Sequence, residues 1–270
     1  MEVKPIVQSR HDFPHIIRVA FGNCLSCRRM RRELLEAVSI DAAGLWSNFG
    51  GLDNVTWYVL GNENAQWLKK AGAKNIRKIS SLPLVHDTSV SFWYNKTLLI
   101  QEAFKDFGQK TEILYVDCDV HSTKKPDEHM ASLLRGRISK GTRFLAPMRR
   151  CVKGKRVPLV TQDSFDLRIC PCNCLMYCTD GEVINEMLDL YPEVSEKAGS
   201  TLTKHWTGTT TTGWDDETLA MYWFDKKNGN KTVAEIVDAF EPESVIRLQR
   251  HPPTESRTMK KPEDLYLVHH

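Results

Sequence analysis

Short apolar runs alternate with segments of helical periodicity along the first half of this 270-residue chain. Ile16 to Phe21 reads as a first strand ending at Gly22-Asn23, and Arg28 to Ala43 reads as a helix. Val55 to Leu60 is a second strand, followed by Gly61-Asn62 and a helix over Ala65 to Ala71. Asn75 to Ile79 is a short third strand. Ser91 to Phe107 carries Leu98, Leu99, Ala103 and Phe104 at helical spacing and stops near Gly108. Glu112 to Val116 is the next strand, rich in branched and aromatic residues. Strands alternating with helices predict an α/β fold with a mostly parallel central sheet flanked by helices. Ligands on such sheets lie at the carboxyl ends of the strands. Gly22-Asn23, Gly61-Asn62 and Asp117 to Asp119 all fall there.

Beyond Asp119 the pattern changes. Glu128 to Arg135 reads as a short helix, Arg143 to Pro147 as a strand, and the basic stretch after it as a loop. Leu167 to Tyr177 reads as a single strand, and Asp180 as the cap of a helix running through Leu190. Ser200 to Gly213, rich in Thr and Gly, reads as a mobile loop. Asp215 to Phe224 is helical, with Leu219, Ala220, Trp223 and Phe224 on its apolar face, and Val245 to Leu248 is a last strand. Residues 253–270 form a tail that either folds over the site or stays loose. No internal repeat, low-complexity tract or Pro/Gly/Ser linker divides the chain, so one domain is expected.

The sharpest chemical signal is the strand that runs into two carboxylates, Tyr115-Val116-Asp117-Cys118-Asp119. Burying unneutralised acids is costly, so their place beside an apolar strand calls for a partner. A bland partner is the backbone, because Asp at a strand end often caps the following turn. The functional partner is a hard divalent cation, Mn²⁺ or Mg²⁺, which prefers carboxylate oxygens and commonly also holds substrate phosphates.

Three motifs in order place this signal in context. A helix carrying Phe92-Trp93-Tyr94-Asn95-Lys96 precedes the strand ending in Asp117-Cys118-Asp119. Trp214-Asp215-Asp216-Glu217-Thr218-Leu219 follows, and Arg250-His251-Pro252 lies near the C-terminus. Together, over residues 16–252, they resemble the metal-dependent, nucleotide-sugar glycosyltransferases of the GT-A fold. That resemblance implies a nucleotide-binding half over 16–120 and an acceptor half over 121–252. It makes Asp119 a direct metal ligand, Asp117 a second ligand or ribose contact, and His251 the third protein ligand. Asp216 becomes the base that deprotonates the acceptor hydroxyl of an inverting enzyme, with Asp215 and Glu217 as alternatives. It sets Lys96 on the donor, the Phe21 to Asn23 stretch on its base or ribose, and Asn173 facing the transferred sugar. Arg28 or Arg29 would pair with phosphate, since a guanidinium fork matches its oxygens.

Bulk properties narrow the partners. Hydrophobic residues make up 41% of the chain and charged residues 26%, ordinary for a globular protein with a sizeable core. No apolar run approaches the roughly 20 residues needed to cross a bilayer, and Met1-Glu-Val-Lys-Pro lacks the apolar stretch of a signal peptide. A soluble, cytoplasmic protein with reduced thiols is expected. The eight cysteines include Cys24, Cys27 and a cluster at Cys170, Cys172, Cys174 and Cys178, which could supply four thiolates to a zinc ion. Their alternation favours small buried hydrophobes instead.

Net charge is +3, yet Arg28, Arg29, Arg31 and Arg32 crowd one helix start, and six cations with no acid lie between Arg143 and Gln162. Such stretches suit phosphate near the donor, a polyanionic acceptor such as nucleic acid, or a solvated surface. The donor is expected to be a UDP- or GDP-linked sugar, and the acceptor a glycan or a modified base in DNA. A sugar nucleotidyltransferase is the second reading; its expected Gly-rich loop after the first strand is thin here, with one Gly in Phe21 to Cys27. A non-enzymatic nucleic-acid-binding protein is the third, and it leaves Trp214 to Leu219 unexplained.

Overall fold

Along each central strand the apolar side chains divide into two sets, and the sets end on opposite faces of one sheet. The computed structural model describes residues 13–22, 25, 28–82, 94–122, 125–138, 143–146, 148–150, 169–171, 174–198, 202–204, 210–212, 219–220, 222–223, 226, 246–248 and 267–269. The chain runs β1 (His15–Ala20), α1 (Arg28–Ala42), β2 (Val55–Leu60), α2 (Asn62–Ala71), β3 (Asn75–Ile79), α3 (Tyr94–Phe107), β4 (Ile113–Val116) and β5 (Val120–Ser122). It continues through α4 (Glu128–Ile138), β6 (Phe144–Leu145), β7 (Met148–Arg150), β8 (Ile169–Pro171), β9 (Leu175–Cys178), α5 (Gly181–Asp189) and α6 (Tyr191–Ala198). The short strands β10 (Leu202–Lys204), β11 (Thr210–Thr212), β12 (Ile246–Leu248) and β13 (Leu267–His269) follow.

Six strands form the central sheet in the order β3-β2-β1-β4-β9-β6. The first four are parallel, and β9 runs antiparallel to both β4 and β6. This is the mixed, mostly parallel α/β sheet that the alternation of elements predicts. One face buries Ile16 and Ala20 of β1 and Trp57 and Val59 of β2 against Leu34 and Val38 of α1 and Leu68 of α2. The other buries Ile17 and Val19 of β1 and Tyr115 of β4 against Leu98, Leu99 and Phe104 of α3 and Val183 and Ile184 of α5. Helices on both faces satisfy the parallel sheet, whose strands would otherwise expose a broad apolar face. Among the described residues no helix is long and apolar enough to cross a membrane.

Several local expectations need correction. α2 starts at Asn62, three residues before Ala65, because Gly61 takes φ +91 and lets the chain turn straight from β2 into the helix. The expected strand over Leu167 to Tyr177 is two strands in different sheets, β8 pairing with β7 and β9 with β4. Pro171 ends β8, as befits a residue with no N–H for a ladder. Cys170 therefore sits on β8 and Cys174 just before β9, not in alternation along one strand. Ser200 to Gly213 contains the antiparallel pair β10 and β11, where branched Thr residues favour extended backbone over a loop. The basic stretch begins as β7, and its remainder over 151–162 lies outside the described residues. Within the expected tail only Leu267–His269 are described; they form β13, which pairs parallel to β12 and antiparallel to β5, the strand that follows the acidic turn.

α5 begins as expected at Asp180, whose carboxylate accepts from the Glu182 N–H at 3.0 Å and from Lys110 at 2.9 Å. Gly181 lies flush against α3; a Cβ there would meet Gln109 Oε1 at 2.3 Å and Phe104 Cγ at 2.7 Å. Burial alone would raise the Asp180 carboxyl, but hydrogen bonds from Lys110, the Glu182 N–H and Arg143 outweigh it and hold it below the usual carboxylate range. A carboxyl depressed in the folded state adds stability above its unfolded value, about 3.9, and loses it as pH falls through the folded value. Asp180→Asn keeps a good cap but removes the charge. In urea melts the variant is expected to be less stable than wild type at pH 7, with the gap closing below about pH 4. A gap constant from pH 3 to 7 would contradict the ion-paired cap.

Candidate functional site

The chain direction sets where chemistry can occur. From β1 it steps outward to β2 and β3, then returns through α3 to β4 on the other side of β1. The carboxyl ends of β1 and β4 mark the point where strand order reverses, the usual ligand position on an open α/β sheet. Asp117-Cys118-Asp119 leaves β4 at that point.

The turn is held from several sides. The Asp117 N–H donates to the Cys174 carbonyl at 2.8 Å, and Val120 N–H donates back to the Asp117 carbonyl at 3.3 Å. Asp117 Oδ1 accepts from the Cys118 N–H at 3.0 Å. The Cys118 side chain turns inward and is buried, its Sγ 3.9 Å from the Val19 carbonyl. Lys96, in the first turn of α3, is buried and sets Nζ 3.2 Å from Asp117 Oδ2 and 5.5 Å from the Tyr115 ring centroid. Asp119 is half-buried two residues on. From α1, Glu33 reaches the same region. Burial raises its carboxyl, the Arg29 guanidinium at 2.5 Å pulls it back, and the charges of Asp119 and Asp117 push it up again.

Beneath the turn lies a buried polar group. Arg18 Nε and Nη2 donate to the two oxygens of Asp41, each at 2.8 Å, and the Trp46 indole N–H donates to Asp41 Oδ1 at 2.8 Å. Burial works against the Arg18 charge, and Asp41 more than offsets it. The remaining arm, Nη1, reaches the Asp117 carbonyl at 2.9 Å and the Val116 carbonyl at 3.5 Å. At the ends of β1 and β2 a cleft of about 300 Å³ opens, lined by Gly22, Leu60, Gly61, Asn62 and Asn64 among others. Asn64 fixes its wall by donating to the Gly22 carbonyl at 3.2 Å and the Leu60 carbonyl at 3.0 Å.

Of the residues singled out from the sequence, Lys96 and Asp117 are in contact and Asp119 shares their turn. Phe21 is 3% exposed and packs in the core, so the cleft wall at the end of β1 is Gly22. Arg28 is exposed at the start of α1. Asn23, Asn173, Asp215, Asp216 and His251 lie outside the described residues. The helical residues after Asp216 are firmly seated, with Leu219 and Ala220 fully buried and the Trp223 indole donating to Glu186 at 2.8 Å. Cys178 is a buried thiol pushed up to about 12 by burial, its Sγ 3.2 Å from the Asp180 carbonyl, which suits a core thiol better than a thiolate ligand. Arg18, Asp41 and Glu33 were not read from the sequence. A lone cation inside Ile16-Ile17-Arg18-Val19-Ala20 is the signal that could have found the first two.

Among the described residues no group of three or more His, Cys, Asp or Glu side chains is placed to hold a metal ion. The donors at hand are the two carboxylates of the turn. That set fits Mn²⁺ or Mg²⁺ arriving with a diphosphate, because such ions often take one or two carboxylates and complete their shell from phosphate and water.

No family model and no curated protein matches the chain. Among solved structures it is similar to a glycosyltransferase involved in the glycosylation of the major capsid of PBCV-1, at 11% identity and a TM-score of 0.41, over 94% of this chain and 90% of that one. It is also similar to a putative glucose-1-phosphate thymidylyltransferase from Bacillus anthracis, at 7% identity and a TM-score of 0.45, over 80% and 84%. A nucleoside-diphosphate-sugar pyrophosphorylase from Vibrio cholerae RC9 is similar at 12% identity and a TM-score of 0.40, over 79% and 88%.

Proposed function

We propose that this protein is a glycosyltransferase of the GT-A type, moving a sugar from a nucleoside diphosphate to an acceptor hydroxyl with the help of Mn²⁺ or Mg²⁺. One observation carries this reading. An acidic turn leaves the sheet where strand order reverses, with a ligand-sized cleft at the ends of the neighbouring strands. The cleft suits the nucleoside, and Asp117 and Asp119 suit an ion bound to its diphosphate. When bound, the ion neutralises the diphosphate and makes it a better leaving group.

The chain's own residues do the rest. Lys96 fixes one oxygen of Asp117 and leaves the turn to present Asp119. Arg28 and Arg29, exposed at the start of α1, add positive charge where the helix dipole is also positive, a setting that favours phosphate. Asp216 takes the acceptor proton as its oxygen attacks the anomeric carbon, with His251 as a further metal ligand. The acceptor is a glycan or a polyanion such as DNA, the latter drawn by the basic residues around Arg149 and Arg150.

The test is incubation with a panel of nucleotide sugars and Mn²⁺. Metal-dependent release of UDP or GDP is expected, and Asp216→Asn should slow transfer by about 10²–10⁴-fold while leaving donor binding roughly unchanged. Pyrophosphate exchange with nucleoside triphosphates would instead identify a sugar nucleotidyltransferase. Neither product from any donor would overturn the proposal.

A further inference from the structure

Arg18 occupies a position that geometry makes more than a core filler. The parallel ladder between β1 and β4 runs through His15↔Ile113, Ile16↔Leu114 and Ile17↔Tyr115, and then stops. One residue later, where the ladder would continue, the Arg18 side chain takes over and donates to the carbonyls of Asp117 and Val116. Its guanidinium is fully buried, and its other two donors are locked on Asp41, which is itself held by Trp46. The carbonyl it grips belongs to the peptide between Asp117 and Cys118. The rotation of that peptide sets where the Asp117 and Asp119 carboxylates point.

A buried ion pair is a poor way to gain stability, because well-packed apolar residues of similar volume usually do as well or better. A rigid, planar fork that reaches a carboxylate and a backbone carbonyl at once is what an apolar replacement cannot supply. We infer that Arg18, held by Asp41 and Trp46, is a positioning residue that orients the Asp117–Asp119 turn for the divalent ion and its diphosphate. The inference rests on the proposed function of that turn.

The experiment compares wild type, Asp119→Ala, Arg18→Lys, and a triple variant with Arg18→Met, Asp41→Leu and Trp46→Phe. Each is measured for thermal midpoint and, by calorimetry, for binding of UDP and GDP with Mn²⁺. The triple variant replaces the whole polar group with apolar volume and is expected to melt near wild type. Its Mn²⁺-dependent nucleotide affinity should fall about 10–100-fold, the usual cost of losing a group that orients metal ligands. Arg18→Lys retains a charge for Asp41 but lacks the fork, and should lose affinity likewise; it reads the same effect if the triple variant does not fold. Wild-type affinity in a folded Arg18 variant, with binding lost in Asp119→Ala, would overturn the inference alone. Absence of Mn²⁺-dependent binding in wild type would overturn the reading of the site itself.

Discussion

Asp119→Ala is expected to abolish Mn²⁺-dependent binding of UDP or GDP while leaving the thermal midpoint close to that of wild type. The reason is a division of labour within three residues. Asp117 carries the framework: its N–H, its carbonyl and both carboxylate oxygens are engaged by Cys174, Arg18, Val120, Cys118 and Lys96. Cys118 is turned into the core. Asp119 is half-buried at the end of the turn, and removing its carboxylate takes away a hard oxygen donor while Asp117 keeps its bonds to Cys174, Arg18, Val120 and Cys118. The measurement is calorimetry with each nucleotide in the presence and absence of Mn²⁺. Undiminished metal-dependent binding by the variant would remove Asp119 from the site. Asp117→Ala is a poorer probe, because it also strips Lys96 of the carboxylate it pairs with.

Asp41→Ala is expected to destabilise the fold strongly. It leaves the Arg18 guanidinium inside the fold with the carboxylate that neutralises it gone, and it removes the acceptor of the Trp46 indole. Breaking one side of a buried ion pair typically costs about 3–5 kcal/mol, far more than replacing both partners together. At roughly 2–4 °C per kcal/mol the midpoint should drop by on the order of 10 °C. The contrast with the triple apolar variant is the informative part: one substitution should do more harm than three. A loss under about 1 kcal/mol would mean that the pair is not desolvated. Thermal melts of the two proteins under one buffer condition decide it.

The sequence was most legible where a single physical rule governs. β2 is found at the residues expected, because its branched and aromatic run between Asn54 and Gly61 has few other solutions, and β3 also starts at Asn75 and ends at Ile79 as expected. Asp180 was recognisable as a cap because the residue's own chemistry creates the helix start. Strand pairings that join distant segments were hidden. Nothing local in Val120-His121-Ser122 or Leu267-Val268-His269 marks them as partners, and each is too short to show a period. α6 has no counterpart among the expected elements; Pro192 lies in its first turn, where a missing N–H costs nothing. In the site, the two carboxylates were legible because acids beside an apolar strand are conspicuous. Their support was not, since Arg18 and Asp41 meet only once β1 and α1 are packed.

The pairing of β5 with β13 also has a kinetic side. Leu267, Val268 and His269 lie opposite Ser122, His121 and Val120, so the segment leaving Asp119 is completed by a strand from the far end of the described chain. The β1-β2-β3 part of the sheet, by contrast, closes through short helical crossovers. Contacts between distant segments carry the larger loop-closure cost and form late in folding. During refolding the nucleotide-cleft side of the sheet should therefore become ordered first, and the acidic turn should acquire its final shape only when the last strand arrives.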